Sequence, residues 1–87
     1  MVKRKVTIKN PTGMTLKPAE YLSKVALRFK SHTGFEYAGG TANAKSILSV
    51  LGSSVKCGDE ITIFCTGRDE NQALNALVEA VEEGLGE

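Results

Sequence analysis

The chain has 87 residues, of which 41% are hydrophobic and 24% are charged, with a net charge of +1. These ordinary globular values argue against disorder and predict one domain over residues 1–87. No apolar run approaches the length of a membrane span, and the charged N-terminus lacks the apolar stretch of a signal peptide, so we expect a cytoplasmic protein. Cys57 and Cys65 have no ligand-like spacing. We expect two free thiols, buried or half-buried, and no metal site.

The charges are unevenly distributed along the chain. Residues 1–30 contain eight Lys or Arg and a single acid, Glu20, whereas the remaining residues contain three basic and nine acidic side chains. This split favours an anionic partner or a phosphate near the first helix, but it also fits solvated faces that balance one another within the fold. Aromatic residues are few, and no GXXG loop or RNP-type run is present, so nucleic acid is a poorly supported partner.

The first half of the chain predicts a strand, a helix and a hairpin. Residues 2–8 alternate between apolar and polar side chains, which predicts a strand with Arg4 facing inward. After a loop at residues 10–13, a helix begins near a capping Thr15, with Pro18 in its first turn, and ends around residues 30–34. Its apolar face comprises Leu22, Val25, Ala26 and Phe29. His32 is expected in a loop, and residues 35–37 and 41–44 predict two strands around a glycine turn.

The second half predicts a short helix, a strand and a longer helix. Ser46 can cap a brief helix that ends at Gly52, and residues 53–58 form a loop. Residues 60–66 alternate as a strand, and Asp69 is expected to cap the last helix, with Gln72 completing a capping box. The apolar stripe of that helix comprises Ala73, Leu74, Leu77, Val78 and Val81.

The order β-α-β-β-α-β-α defines the expected fold class, which is α+β. It predicts an open-faced sandwich in which a four-stranded antiparallel sheet is covered on one face by three helices. The other face of the sheet should be in contact with water, in agreement with Lys5, Thr7 and Thr62 at its alternate positions.

Two segments have the composition of sites that handle anions. In residues 13–19 a glycine turn leads into a helix N-terminus, where free N–H groups, the helix dipole and Lys17 would attract a phosphate. In residues 43–51 Ser46 caps a short helix, and its phosphorylation would add about −1.5 to −2 charges at the favourable helix end. Taken singly, each segment is also what an ordinary capped helix looks like.

Taken together at this spacing, the two segments resemble those of HPr, the small phosphocarrier of the bacterial sugar phosphotransferase system. The resemblance covers essentially the whole chain. The family patterns read close to G-[IL]-H-A-R-P-A and N-x-K-S-[IL]-[ML]. The residues that match them are Gly13, Pro18 and Ala19 in the first segment, and Asn43, Lys45, Ser46, Ile47 and Leu48 in the second.

The chain departs from the family at its phosphate-accepting position. The resemblance places Thr15 where the family has its histidine and Lys17 where it has an arginine. A threonine without an adjacent base is a poor nucleophile, and its phosphate ester is a poor donor, so no catalytic or carrier role is expected for Thr15. Thr15 is then either an ordinary N-cap, or a hydroxyl that joins Leu16 and Lys17 in holding a phosphate or is itself phosphorylated. Lys17 keeps a positive charge but lacks the bidentate fork of arginine.

Ser46 retains the family pattern. In many Gram-positive HPr proteins the matching serine is phosphorylated from ATP by HPr kinase/phosphorylase, and the product binds a catabolite-control transcription factor; Crh-type paralogues keep this serine without the histidine. The resemblance implies a docking surface that includes Lys17, Glu20, Ile47, Leu48 and Leu51. Leu51 fits core packing equally well. Glu20 either pairs with Lys17 or repels an incoming phosphate, and family members usually have a neutral residue there.

The leading hypothesis is a non-enzymatic regulator in carbon catabolite control that is switched at Ser46 and needs no cofactor. The alternative is a docking competitor or residual component of the phosphotransferase system that binds Enzyme I or permeases without accepting phosphate. An enzyme is the least supported class, because no catalytic dyad, metal cluster or nucleotide-binding loop is present.

Overall fold

A computed structural model describes all residues from 1 to 87. The strands are β1 (Val2–Thr7), β2 (His32–Tyr37), β3 (Gly40–Asn43) and β4 (Glu60–Thr66). The helices are α1 (Leu16–Ala26), α2 (Ile47–Gly52) and α3 (Glu70–Glu82). The predicted order and fold class are confirmed. None of the three helices has the length and apolar character required to cross a membrane.

The four strands form one antiparallel sheet in the order β1-β4-β2-β3. The central strand β4 places Val6 of β1 opposite Ile61 and Phe35 of β2 opposite Ile63, so these side chains share the face that the helices cover. Ile61, Ile63 and Cys65 are buried, whereas Thr62 and Phe64 are half-buried on the opposite face. The period of two in residues 60–66 therefore sorts the strand into a core face and an open face.

The core lies between the sheet and helices α1 and α3. Each fully buried Leu, Ile or Phe contributes about 1.5–3 kcal/mol to folding. The helix residues that fill it include Leu22 and Ala26 of α1, and Ala73, Leu74, Leu77, Val78 and Val81 of α3. The stripe predicted for the last helix is therefore buried at every position.

Three local predictions are wrong in this part of the chain. Arg4 is exposed, because β1 is an edge strand and a long charged side chain reaches water past the sheet edge. Helix α1 ends at Ala26, and the N–H groups of Arg28 and Phe29 bond three residues back in a tighter turn. His32 is exposed but begins β2 instead of lying in a loop, and its ring lies 6.0 Å from that of Phe64.

Asp69 occupies the N-cap position of α3 but makes no side-chain cap bond, so the predicted capping box is wrong. Its carboxylate instead accepts bonds from the Ser31 hydroxyl and from the N–H groups of Lys30 and Ser31. The Ser31 hydroxyl first, and then the Lys30 N–H, lower the pKa of Asp69 from 3.8 to about 2. The carboxylate therefore joins the loop after α1 to the start of α3, and this contribution to stability is lost only as the pH falls from about 3.8 toward about 2.

The two cysteines are free thiols in different environments. Cys65 is buried, and desolvation, followed by the charges of Glu70 and Asp69, raises its pKa to about 11. Its thiol therefore stays protonated at neutral pH. Cys57 is exposed, because it lies in the loop before β4, and so the expectation that it is at least half-buried is wrong.

Candidate functional site

The loop before α1 is shaped by Gly13. This residue has φ +68°, and a Cβ there would lie 2.6 Å from the Val55 carbonyl oxygen. The Met14 N–H donates to that same oxygen at 2.9 Å, and the Gly13 N–H donates to the Asn10 oxygen at 3.1 Å. Only glycine fits this conformation and this contact without strain. The start of α1 is therefore fixed against the loop that precedes β4.

Thr15 is the N-cap of α1 through its backbone but not through its side chain. Its carbonyl oxygen accepts a bond from the Ala19 N–H at 2.9 Å, and its backbone is extended. The hydroxyl makes no cap bond and donates instead to the Thr12 hydroxyl oxygen at 3.0 Å. The sequence prediction is correct for the position and wrong for the side-chain bond.

The hydrogen bonds of Thr15 and Thr12 continue to Glu87, a residue that sequence reasoning missed. Its carboxylate accepts a bond from the Asn10 side-chain amide at 3.0 Å. Each of the two carboxylate oxygens lies 2.9 Å from the Thr12 hydroxyl oxygen. The Asn10 amide first, and then the Thr12 hydroxyl, lower the pKa of Glu87. Because Thr12 donates to Glu87, its oxygen is left to accept the proton of Thr15.

Leu16 and Lys17 in the first turn of α1, and Glu20 one turn further on, are exposed to solvent. The side chain of Leu16 is 56% exposed. The two ion pairs of the structure join the N-terminus to Glu70 and Lys3 to Glu36, so Lys17 and Glu20 are not paired with each other. The alternative in which Glu20 neutralises Lys17 is therefore wrong, and both charges lie free at the same end of the helix.

Ser46 caps α2 as the sequence predicts. Its hydroxyl oxygen accepts a bond from the Ser49 N–H at 3.2 Å. Around it, the Ser49 hydroxyl oxygen accepts from the Asn43 N–H at 2.9 Å, and the Asn43 side chain accepts from the Lys45 N–H at 3.0 Å. The Lys45 ammonium donates to the Phe29 carbonyl oxygen at 2.8 Å. Ser46 is half-buried within a hydrogen-bonded segment that is anchored to the loop after α1.

The exposed side of α2 is apolar. Leu48 is 81% exposed and Ile47 is 37% exposed, whereas Leu51 is half-buried against the core. A groove of about 430 Å³ brings Leu51 together with Thr15 and Leu16. The two segments singled out by the sequence are thus neighbours in space, with Ile47 and Leu48 outside the groove and Leu51 in it.

No base contacts the Thr15 hydroxyl directly, and the nearest carboxylate, that of Glu87, is bound to Thr12. The hydrogen-bond partner of this hydroxyl is Thr12, and the sole histidine, His32, lies with Phe64 on the open face of the sheet. A hydroxyl without a general base is not activated for attack on a phosphoryl group. The geometry therefore places Ser46 as a half-buried hydroxyl at a helix start, and offers Thr15 no direct help as a nucleophile.

Comparison with known proteins identifies the class to which this fold and these segments belong. Residues 2–83 match the family described as "PTS HPr component phosphorylation site". The chain belongs to the HPr family. The phosphocarrier proteins of this family are carriers in the phosphotransferase system rather than catalysts, and proteins of the family act through protein partners.

The similar proteins in that family include both a Crh protein and phosphocarrier HPr proteins. It is 37% identical over 83 residues to the HPr-like protein Crh of Bacillus subtilis, covering 95% of this chain and 98% of the relative. It is 36% identical over 84 residues to the phosphocarrier protein HPr of Mycoplasma pneumoniae, covering 95% and 96%. A crystal structure of HPr-C-His from Thermoanaerobacter tengcongensis superposes with a TM-score of 0.94 at 33% identity, covering 100% of this chain and 98% of the other. Similarity to a Crh protein agrees with a chain that has Thr15 at the histidine position.

Proposed function

We propose that this protein is a regulatory HPr paralogue whose switch is phosphorylation of Ser46 from ATP by an HPr kinase. The observation that carries the proposal is the contrast between the two sites: the Ser46 segment is intact and capped, whereas Thr15 has no activating base. Similarity to HPr-like protein Crh supports the same conclusion. The proposal places the protein in the cytoplasm as one domain, residues 1–87, that works through protein partners.

Phosphorylation at this position is electrostatically favourable for α2. The Ser46 oxygen already accepts the Ser49 N–H, and a phosphate there would add about −1.5 to −2 charges at the positive end of the helix dipole. No acidic residue lies in the first turn of α2 to oppose it. The modification therefore adds charge without demanding that the helix unfold.

We assign the docking surface to the apolar residues beside this switch and to the start of α1. Ile47 and Leu48 are exposed next to Ser46. Leu51 and Leu16 both line the groove beside Thr15. Lys17 supplies the one positive charge in the first turn of α1. Thr15, Leu16 and Lys17 would together bind an anionic group there. The negative charge of Glu20 limits which partners dock. The partner proposed for the phosphorylated form is a catabolite-control transcription factor.

The experiment is incubation with ATP, Mg²⁺ and an HPr kinase, followed by intact-mass measurement. The wild-type protein should gain one phosphate, and Ser46→Ala should gain none. Ser54→Ala is the matched control, because Ser54 is exposed in the loop after α2 and takes no part in the hydrogen bonds around Ser46; it should be modified like the wild type. An unmodified wild-type protein, or a modified Ser46→Ala variant, contradicts the proposal.

A second candidate function follows from the exposed Leu16 and the groove beside Thr15. The protein would dock on Enzyme I or on sugar permeases without accepting phosphate, and so would compete with a phosphocarrier. Binding of the unphosphorylated protein to Enzyme I, abolished by Leu16→Asp and unaffected by Ser46→Ala, favours this function over the first. No binding to Enzyme I or to a permease excludes it.

A further inference from the structure

The open face of the sheet carries two aromatic rings on its two central strands. Phe64 of β4 is half-buried on this face, because the residues on either side of it, Ile63 and Cys65, are buried on the core face. His32 is exposed at the start of the neighbouring strand β2. The two ring centroids lie 6.0 Å apart with an interplanar angle of 42°. The rings therefore form an aromatic surface that is open to solvent.

Gly34 allows the ring of Phe64 to lie along the sheet. The two residues are direct partners in the register of β2 and β4. A Cβ on Gly34 would lie 2.6 Å from Cζ of Phe64, so a larger residue at this position would push the ring away from the strand. One side of the ring thus covers the backbone of β2, and the other side faces outward. A π-face held in this way can stack with a planar group.

The edge strand β1 adds positive charge beside the rings. Its basic residues, all of them exposed, are Lys3, Arg4 and Lys5. Lys3 lies directly opposite Phe64 in the register of β1 and β4. Its ammonium is 3.8 Å from the Glu36 carboxylate, but both side chains are about half exposed, and such surface pairs are weak. The acidic residues of the open face are Glu36 on β2 and Glu60 at the start of β4, so the positive charge is concentrated along one edge.

This combination of rings and charges fits one class of ligand. A nucleotide joins a planar base to a phosphate, and aromatic side chains on a four-stranded sheet are a recurring platform for unpaired bases. Neighbouring strands are about 4.8 Å apart, so the phosphate of a nucleotide whose base covers Phe64 lies within reach of the Lys3 ammonium. In a duplex the bases stack on one another, and their faces are not available to the rings. The ligand that fits is therefore single-stranded.

We propose that the open face of the sheet binds single-stranded nucleic acid, with bases stacked on Phe64 and His32 and phosphates held by Lys3 and Lys5. Sequence patterns gave little support for such a partner, because the two rings lie in different strands and only the register of the sheet brings them together. The site is formed by strands alone, whereas the proposed switch lies at the starts of α1 and α2. Either can therefore be correct without the other.

The test is titration of the protein into a fluorescein-labelled oligouridylate of about eight nucleotides at low ionic strength, followed by fluorescence anisotropy. Phe64→Leu keeps an apolar side chain over Gly34 but removes the π-face, and it should raise the Kd about tenfold. Lys3→Gln combined with Lys5→Gln should also raise the Kd. The same pair of changes should reduce the slope of log Kd against log salt concentration by about 1 to 2.

The matched control for the lysine pair is Lys24→Gln combined with Lys30→Gln. It removes two exposed charges of the same sign from α1 and the loop after it, away from the open face, and both the Kd and the salt slope should stay close to the wild-type values. In the isotope-labelled wild-type protein, the oligonucleotide should shift the backbone amide signals around Phe64 and His32 and leave those of α1 unchanged.

Several outcomes would overturn the site. They are no binding by the wild-type protein, amide shifts centred on the start of α1, and wild-type affinity in a folded Phe64→Leu variant. Equal losses for the two lysine pairs would overturn it as well, because general charge would then explain the binding. If circular dichroism shows Phe64→Leu to be unfolded, His32→Ala takes its place at an exposed position: a raised Kd supports the stacking surface, and an unchanged Kd overturns it.

Discussion

The hydroxyl at the start of α1 and the hydroxyl at the start of α2 make different hydrogen bonds. Ser46 accepts from an N–H of its own helix, whereas Thr15 donates to Thr12 and leaves its helix uncapped by the side chain. Both residues lie at the N-cap position of their helix. The position along a helix is therefore insufficient to assign a capping role, because the hydroxyl can be oriented toward a partner outside the helix.

The two helix starts also differ in what supports them. The bonds around Ser46 connect residues 43–49 to one another, so that support is mainly local. The start of α1 depends on Val55 and Glu87, which lie far along the chain. A locally supported switch can accept a new charge with little effect elsewhere, whereas a change at the start of α1 affects two distant segments.

The largest expected effect concerns phosphate transfer from phosphoenolpyruvate through Enzyme I. Thr15→His, combined with Lys17→Arg, should convert acceptance from undetectable to measurable, because imidazole is nucleophilic near neutral pH and arginine restores a bidentate phosphate contact. Acid-labile phosphate on the protein is the measurement. Thr15→Ala with Lys17→Arg is the control and should accept none; acceptance by this control would place the acceptor outside α1.

Glycine substitutions should show that the segment before α1 is constrained by a distant part of the chain, whereas the end of α2 is not. Gly13→Ala should lower the free energy of unfolding by about 2 kcal/mol or more, since it combines a positive φ with a backbone clash at 2.6 Å. Gly52→Ala at the end of α2 has no atom within 4 Å of the new Cβ and should raise it by up to about 1 kcal/mol. Urea unfolding measures both. A neutral Gly13→Ala would contradict the dependence of α1 on Val55.

Removing each hydroxyl should affect stability unequally. Ser46→Ala loses a helix cap and should lower the free energy of unfolding by about 1 kcal/mol. Thr15→Ala loses an exposed hydroxyl bond to Thr12 and should change it by less than about 0.5 kcal/mol. Thermal unfolding followed by circular dichroism distinguishes the two. Equal losses would mean that Thr15 caps α1 in solution.

The smallest expected effect is a pH dependence confined to the start of α1. Hydrogen bonds lower the pKa of Glu87 below its ordinary value of 4.5, so its contacts are complete above that pH and are lost as the pH falls through the lowered pKa. The amide signals of Thr12 and Gly13 should therefore shift on acidification, and those of Ser46 and Ser49 should not follow the same titration. Glu87→Gln should abolish the shift; its persistence would assign it to another group.

Sequence patterns predicted the elements well because their signals are local. Alternation in residues 60–66 and the apolar stripe from Ala73 to Val81 each follow from a short window of the chain. Ser46 was predicted correctly for the same reason, since its partner Ser49 is three residues away.

The predictions that proved wrong concern bonds between distant residues. Asp69 has the spacing of a capping box, but its carboxylate is taken by Lys30 and Ser31, which lie 38 or 39 positions away. Thr15 likewise makes its side-chain bond with Thr12, which is itself bound to Glu87, and not with an N–H of α1. No local pattern contains either partner. Only the folded chain reveals which of several hydrogen-bond partners a hydroxyl or a carboxylate will meet.

The central claim is that Ser46 is the phosphorylated residue of this protein and that Thr15 does not relay phosphate. Intact mass after two parallel incubations of the wild-type protein tests it most directly, one with phosphoenolpyruvate and Enzyme I and one with ATP and an HPr kinase. One added phosphate in the second incubation alone, mapped to Ser46 by fragmentation, is the predicted result. Phosphate acquired in the first incubation, or no phosphate in the second, would contradict the claim.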